Sequence, residues 1–362
     1  MGLRLERLSK AWKGFALKDI SLDVADGEYF ALLGPNGSGK TLLLETIIGF
    51  HRCDTGRILL DNRDVTSVPP EKRNMGYVPQ NCMLFPHLNV RQNIEFGLKM
   101  RGAPEDDRRS AVDKTLGLMG LAGVARSLPM TLSGGERQKV ALARVLAVEP
   151  KIILLDEPMA SIDDVSGRAM KEELKRIHRD LKATIVHVTH NQMEAFSLAT
   201  RVAIMNCGQI VQVDTAKSLL CKPANEFVAR LLGYENIFSG KLVKEDSGLL
   251  FLDVGDIVIR TIGHETDGEY IVGIRPEDVS VSTKAVDPSS VNVLQGIVAD
   301  TADLGPIVSV SVDAGLKVKA AIAKGSFLEL NLDKGIRVWL SFKFESVKLL
   351  NRHEIASAKG PF

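Results

Sequence analysis

The sequence predicts an α/β domain with a parallel-sheet core over residues 1–232, then a small all-β, barrel-like domain over residues 233–352 and a short tail, 353–362. Three observations predict this. Short apolar runs alternate with helical patterns in the first part, a purely helical stretch interrupts them near residues 88–148, and period-two alternation takes over after Gly233.

The apolar runs are Tyr29–Leu33, 152–155 and 185–188, each bounded as a strand buried on both faces would be. Helical patterns follow at 39–49 and 191–198. The stretch 88–148 has helical periodicity with few strand signals, so it reads as an insertion into the α/β core. In the second part, Ile307-Val308-Ser309-Val310-Ser311-Val312 and Ile336-Arg337-Val338-Trp339-Leu340 alternate as half-buried strands do.

That β-rich part carries an internal repeat. Asn236-Ile237-Phe238-Ser239-Gly240 resembles Asn292-Val293-Leu294-Gln295-Gly296, and Gly273-Ile274-Arg275-Pro276-Glu277-Asp278-Val279 resembles Ser341-Phe342-Lys343-Phe344-Glu345-Ser346-Val347. The offsets differ, so the second copy is expected to hold an insertion, and two small barrel-like halves packed together are expected.

A net charge of +1 over 362 residues argues against a broad nucleic-acid footprint, which needs a basic surface. The four cysteines, Cys53, Cys82, Cys207 and Cys221, form no CxxC pair and suggest reduced thiols rather than zinc or disulfides. The start lacks an apolar signal region, and Glu6 stands where a myristoylation motif wants a hydroxyl. No run of 18 apolar residues is present. Any membrane role is therefore expected to come through a partner.

Chemistry concentrates in two motifs. Gly34-Pro35-Asn36-Gly37-Ser38-Gly39-Lys40-Thr41 fits the phosphate-loop pattern GxxxxGK followed by Ser or Thr. It follows an apolar strand and opens a helical run, so backbone N–H groups and a helix N-terminus can face phosphate oxygens. Lys40 is expected to reach the β- and γ-phosphates of ATP and Thr41 to hold Mg²⁺. The run 151–158 is a buried strand ending in Asp156-Glu157. Adjacent carboxylates there are costly unless a cation or reacting water uses them. Asp156 is assigned to Mg²⁺ and Glu157 to the attacking water; caps for a following helix are the alternative.

Leu132-Ser133-Gly134-Gly135-Glu136-Arg137-Gln138 narrows the reading. It is similar to the signature motif LSGGxxQ of ABC ATPases, a short helix upstream of the acidic strand. The resemblance implies a P-loop NTPase cassette with a parallel-sheet core, an antiparallel β subdomain and a helical insertion. It also implies two cassettes paired head to tail, each signature closing over the ATP of a second copy. Further positions resemble family motifs: Gln80 the loop glutamine that senses Mg²⁺ and water, His190 the switch histidine that contacts γ-phosphate, and Trp12 the aromatic that stacks on adenine. Asp163, in Ala160-Ser161-Ile162-Asp163, resembles the D-loop acid, with a helix cap as the alternative. His187 and His190, three apart on a strand, would face opposite ways and are not read as a zinc pair.

The β-rich part resembles the TOBE/MOP-like tails of importer ATPases, through Gly273-Ile274-Arg275-Pro276-Glu277-Asp278. Nearly the whole chain is similar to the archaeal-type molybdate/tungstate importer ATPases. Tyr77-Val78-Pro79-Gln80-Asn81, Leu84-Phe85-Pro86-His87, Leu232-Gly233-Tyr234-Glu235-Asn236-Ile237 and Asp303-Leu304-Gly305 carry that resemblance. It implies an ATPase on the cytoplasmic face of the membrane, transmembrane permease subunits contacted through Met83, Leu84 and Phe85, and an extracytoplasmic solute-binding protein. Sulfate, iron, polyamine and sugar importers share most of these motifs, and a soluble ABC regulator without a permease is the alternative of another class. The tail motifs that bind regulatory oxyanion in some molybdate relatives are incomplete here: Ser289-Ser290-Val291-Asn292 lacks an arginine, and Lys343-Phe344-Glu345-Ser346 holds an acid.

Overall fold

A computed structural model describes residues 2–160, 162–246, 248–255, 257–263 and 268–350. Ser161 and the tail 353–362 lie outside the described residues. The chain forms two compact units, Met1–Ala216 and Lys217–Phe362.

The first unit opens with β1 (Leu3–Trp12), β2 (Phe15–Val24) and β3 (Tyr29–Leu33), then α1 (Lys40–Ile48). Next come β4 (Thr55–Leu60), β5 (Arg63–Asp64) and β6 (Met75–Val78). The helical insertion is α2 (Val90–Met100), α3 (Glu105–Leu118) and α4 (Gly134–Leu146). The core then resumes as β7 (Ile152–Asp156), α5 (Asp164–Leu181), β8 (Thr184–Thr189), α6 (Gln192–Leu198), β9 (Arg201–Asn206) and β10 (Gln209–Asp214).

Two sheets result. One is antiparallel, in the order β2-β1-β4-β5; the other runs β10-β9-β3-β8-β7-β6 and is parallel except at its β10 edge. Every residue of β3, β7 and β8 is buried, which is why these strands read as continuous apolar runs. Alternate residues serve different layers. Phe30, Leu32, Leu154 and Val186 pack with Leu43, Leu44 and Ile47 of α1 and with Leu3, Leu5 and Leu8 of the antiparallel sheet. Ile153, Leu155 and Ile185 turn the other way, against Ile94, Leu116 and Val140 of the insertion. The helix that follows the glycine turn is thus clasped between two sheets.

Arg73 fixes the far end of that helix. Its guanidinium is buried and donates to Thr46 O, Ile47 O, Thr66 O and Val68 O. A cation there meets the carbonyl-rich, negative end of α1.

The second unit begins ahead of the expected boundary at Leu232. Two short helices, α7 (Ala216–Cys221) and α8 (Glu226–Leu231), precede its strands. The Tyr234 hydroxyl donates to Leu220 O at 2.7 Å and Arg275 donates to the same carbonyl at 3.2 Å, which ties α7 to the β-rich part. The strands are β11 (Asn236–Asp246), β12 (Leu249–Asp253), β13 (Val258–Ile262), β14 (Glu269–Ile274), β15 (Ser280–Ser282), β16 (Val291–Asp303), β17 (Ile307–Asp313) and β18 (Lys317–Ala323). After α9 (Lys324–Glu329) come β19 (Arg337–Lys343) and β20 (Lys348–Leu350).

These strands make two five-stranded antiparallel sheets, β13-β12-β11-β14-β20 and β15-β19-β16-β17-β18. The repeated segments hold equivalent places, β11 with β16 and β14 with β19. Each copy surrenders its last strand: β15 leaves β14 through a single 3₁₀ turn to pair with β19, and β20 leaves β19 through another to pair with β14. The first residues of the repeat act reciprocally as well. Buried Asn236 bonds both N–H and C=O of Lys319 on β18, and buried Asn292 does the same to Arg260 on β13. The two copies share one apolar core, including Leu250, Val272, Val310 and Leu340, so they are exchanged sheets rather than separate halves. The connection between β18 and β19, which carries α9, is longer than its counterpart between β13 and β14 and accounts for most of the difference in offset.

Candidate nucleotide-binding and hydrolytic site

The glycine turn between β3 and α1 takes its shape from contacts that no side chain could survive. A Cβ on Gly34 would stand 2.3 Å from Met205 O, and Gly39, at φ +99°, would press one to 2.5 Å from the Phe15 ring. Lys40 folds back into the turn and donates to Gly34 O at 2.8 Å and Pro35 O at 2.9 Å. Burial lowers its pKa, opposed by the charges of Glu157 and Asp156. The buried Ser38 Oγ has no hydrogen-bond partner, and no side chain caps the first turn of α1. The turn therefore presents unsatisfied donors, as an anion-binding cradle does.

A cavity of about 540 Å³ opens over the turn. Asn36, Gly37, Gly39, Lys40, Thr41 and Leu42 line one part of it, and Phe15, Gln80 and Glu157 complete the lining. Asp156, at the end of β7, is buried and accepts from Thr41 Oγ1 at 3.0 Å and Tyr77 OH at 3.3 Å. Burial raises its pKa, and the two hydroxyls oppose that rise. Among the described residues no group of three or more His, Cys, Asp or Glu could cage a metal. One carboxylate beside one hydroxyl at a phosphate cradle suits Mg²⁺, which keeps water and takes phosphate oxygens rather than an all-protein cage.

Glu157 follows in the left-handed region, φ 44°, with its N–H bonded to Val188 O at 2.9 Å. That kink turns the side chain out of the sheet. One carboxylate oxygen accepts from Gln80 Nε2 at 3.3 Å, and the other lies 3.1 Å from His190 Nδ1. Residues 80, 157 and 190, far apart in sequence, thus meet at one carboxylate beside the Lys40 cradle.

Comparison with known proteins places the chain in a family. Residues 17–160 match the family model for ABC transporters, and residues 272–350 that for the TOBE domain. The molybdate/tungstate import ATP-binding protein WtpC of Pyrococcus horikoshii is 42% identical over 346 residues, covering 95% of this chain and 99% of that protein. This chain belongs to the ABC transporter ATP-binding proteins. The sulfate/thiosulfate import ATP-binding protein CysA of Thermosynechococcus vestitus is 43% identical over 267 residues, covering 72% of this chain and 80% of that one. A solved dimeric ATP-binding cassette in a post-hydrolysis state, bound to ADP and Pi, superposes with a TM-score of 0.54 at 29% identity, covering 59% of this chain and 98% of that one. As an ABC transporter ATP-binding protein, the chain hydrolyses ATP in support of transport.

The remaining positions can be placed against the ABC pattern. Trp12 is absent from the cavity lining; it packs edge-on to His51 at 5.3 Å and lies 6.4 Å from Phe15. Phe15, three residues on, is the aromatic that lines the cavity. Of the ABC signature, Ser133 caps α4 with its hydroxyl on Glu136 N, while Glu136 accepts from Ser133 N and Oγ at 2.8 Å each. Gly135 lies against Ser166 of α5. No residue of 132–138 lines the cavity of its own chain. Leu132 and Gln138 are buried. Gln138 Oε1 accepts from Cys82 Sγ at 2.8 Å, tying α4 to the loop after Gln80. Asp163 caps α5, accepting from Val165 N and Ser166 N at 3.0 Å, which is the alternative its sequence context left open.

The loop after Gln80 is tied to α4 a second time. Arg144 donates to Cys82 O at 2.9 Å and Met83 O at 2.7 Å, and its guanidinium lies 5.6 Å from the Phe85 ring centre. Met83 is 66% exposed at φ 44°, whereas Leu84 and Phe85 are partly buried, the latter against Phe96. All four cysteines are free. Among the described residues no helix is long and apolar enough to cross a membrane.

Proposed function

We propose that this chain is the ATP-hydrolysing subunit of an importer for the oxyanions molybdate and tungstate. The observation that carries the hydrolytic part is the meeting of Gln80 and His190 on Glu157 beside the Lys40 cradle. The substrate rests on the WtpC proteins, 42% identical to this chain across nearly their whole length.

ATP would lie with its phosphates over residues 34–41, where Lys40 exchanges its two carbonyl contacts for β- and γ-phosphate oxygens. Phe15, with Trp12 behind it, would supply the aromatic surface for the base. Thr41 and Asp156, with Gln80 at their edge, would hold Mg²⁺, which when bound neutralises charge on the β- and γ-oxygens. Glu157 takes the proton of the attacking water, and Gln80 and His190 orient that carboxylate and the water. Lys40 and His190 stabilise charge on the transferring phosphoryl group.

Because Ser133, Gly134 and Gly135 stand apart from their own cradle, we infer that they close over the nucleotide of a second copy, as the dimeric ADP-bound cassette suggests. In this reading Asp163 braces the same junction by fixing the start of α5. Met83, exposed on a loop that Arg144 clamps, would meet the permease together with the rims of Leu84 and Phe85. The chain would then sit on the cytoplasmic face of the membrane, and an extracytoplasmic protein would deliver the solute to the permease.

The test is reconstitution with the cognate permease in liposomes. Tungstate or molybdate, presented by the binding protein, should raise ATP turnover and accumulate inside. Stimulation by sulfate alone would favour the second reading, which the 43% identical sulfate/thiosulfate relative supports. Turnover indifferent to any permease would refute the transport role.

A further inference from the structure

The turn that carries His190 is held by an acid that the reading above does not use. Thr189, the last residue of β8, is buried, and its hydroxyl does two things. It donates to Glu194 Oε2 at 2.7 Å and accepts from Asn191 N–H at 3.0 Å. His190 lies between the two residues so joined. Its side chain is 49% exposed and meets Glu157 at 3.1 Å. The position of the imidazole is therefore set mainly by the backbone of 189–191.

A hydroxyl carries one proton and must aim it somewhere. Glu194 gives that proton a single target, which leaves a lone pair facing Asn191 N–H. Glu194 is itself largely buried. Its side chain is 13% exposed, and Oε2 lies 3.7 Å from Nε2 of the fully buried His187, whose Nδ1 lies 3.0 Å from Tyr29 OH. Asn191 fixes the other side of the turn by capping α6, its Oδ1 accepting from Met193 N at 2.9 Å.

We propose that Glu194 is a positioning residue for ATP hydrolysis: through the Thr189 hydroxyl it sets the turn that presents His190 to Glu157. The inference rests on the reading of His190 as a participant in hydrolysis. Glu194 is not among the residues that line the cavity and acts only through that turn.

The experiment measures steady-state ATP turnover of the full chain as wild type, Glu194→Ala, Glu194→Gln, His190→Ala and the double variant Glu194→Ala/His190→Ala. Misplacing a reacting group by about 1 Å can lower rates on the order of 100-fold, so Glu194→Ala should lose roughly 10- to 100-fold in kcat. The KM for ATP should stay within about twofold, since the phosphate cradle is untouched. Glu194→Gln should recover most of the rate, because an amide oxygen still accepts from Thr189. In the His190→Ala background, Glu194→Ala should remove nothing further.

Wild-type turnover in Glu194→Ala, or the same fractional loss in both backgrounds, would overturn the inference. His190→Ala turning over at the wild-type rate would instead overturn the role of His190, a separate outcome. If Glu194→Ala does not fold, Thr189→Val carries the same comparison: its loss must vanish in the His190→Ala background, and persistence there overturns the proposal.

Discussion

Replacing Glu157 with Gln probes the chemistry most directly, because the change is nearly isosteric. The carboxylate now serves two neighbours, Gln80 Nε2 at 3.3 Å and His190 Nδ1 at 3.1 Å. An amide has one oxygen, so it can turn that oxygen to Gln80 and its NH₂ to an unprotonated His190 Nδ1. The contacts survive and the base does not. Removing a positioned general base lowers rates roughly 10²- to 10⁴-fold, equivalent to about 3–5 kcal/mol in the barrier. ATP binding should change little, since Lys40 and the cradle are intact, and the variant should accumulate as an ATP-bound dimer. Phosphate release under saturating ATP and magnesium, with nucleotide affinity measured in parallel, checks both. Hydrolysis at the wild-type rate would refute the assignment of the base. A loss confined to affinity would move Glu157 from chemistry to binding.

Four further outcomes are expected. Phe15→Ala should raise the KM for ATP with little change in kcat, because the ring lines the cavity and supports the turn at Gly39; steady-state kinetics check this. Lys40→Ala should abolish tight ATP binding in a fluorescent-nucleotide assay, since it removes the one cation inside the cradle. Arg73→Met should lower unfolding stability by roughly 3 kcal/mol in denaturant melts, because four carbonyls, two of them buried, lose a charged donor and some regain water. Burial holds His187 neutral, with its pKa pushed down from 6.5 to about 3. The unfolded chain therefore binds the extra proton between about pH 6.5 and 3, and this residue makes stability fall as pH drops through that window, by about 1.4 kcal/mol per unit. His187→Leu should make the acid side of a stability-versus-pH curve shallower by about one proton.

The sequence reveals what is local. The glycine turn, the acidic strand end and the signature are contiguous, and each needs its particular residues for a backbone reason. The buried strands were legible because a sheet covered on both faces demands unbroken apolar runs. Residues whose work depends on distant partners were not legible. Phe15 matters because it lies under Gly39, Tyr77 because it reaches Asp156, and Arg73 because it stoppers α1; nothing near them in sequence says so. Trp12 was expected at adenine from resemblance, and Phe15, three residues on, entered only through the cavity that it lines. Leu132 and Gln138 belong to a motif by pattern, and the pattern does not say that both are buried. Two offsets between repeated segments announced an insertion, but only pairing registers reveal where each copy's final strand goes.

That crossing of final strands sets the order in which the second unit can be completed. The first sheet lacks its edge at β14 until residues 348–350 have been synthesised, whereas the edge strand that the second sheet borrows, residues 280–282, is made before the rest of that sheet. Neither copy completes its sheet without a strand from the other. A nick in the exposed stretch between them would leave two fragments still interlocked, each missing a piece that only its sibling carries. Repetition has here produced a mutual dependence, so the unit should be won or lost as a whole.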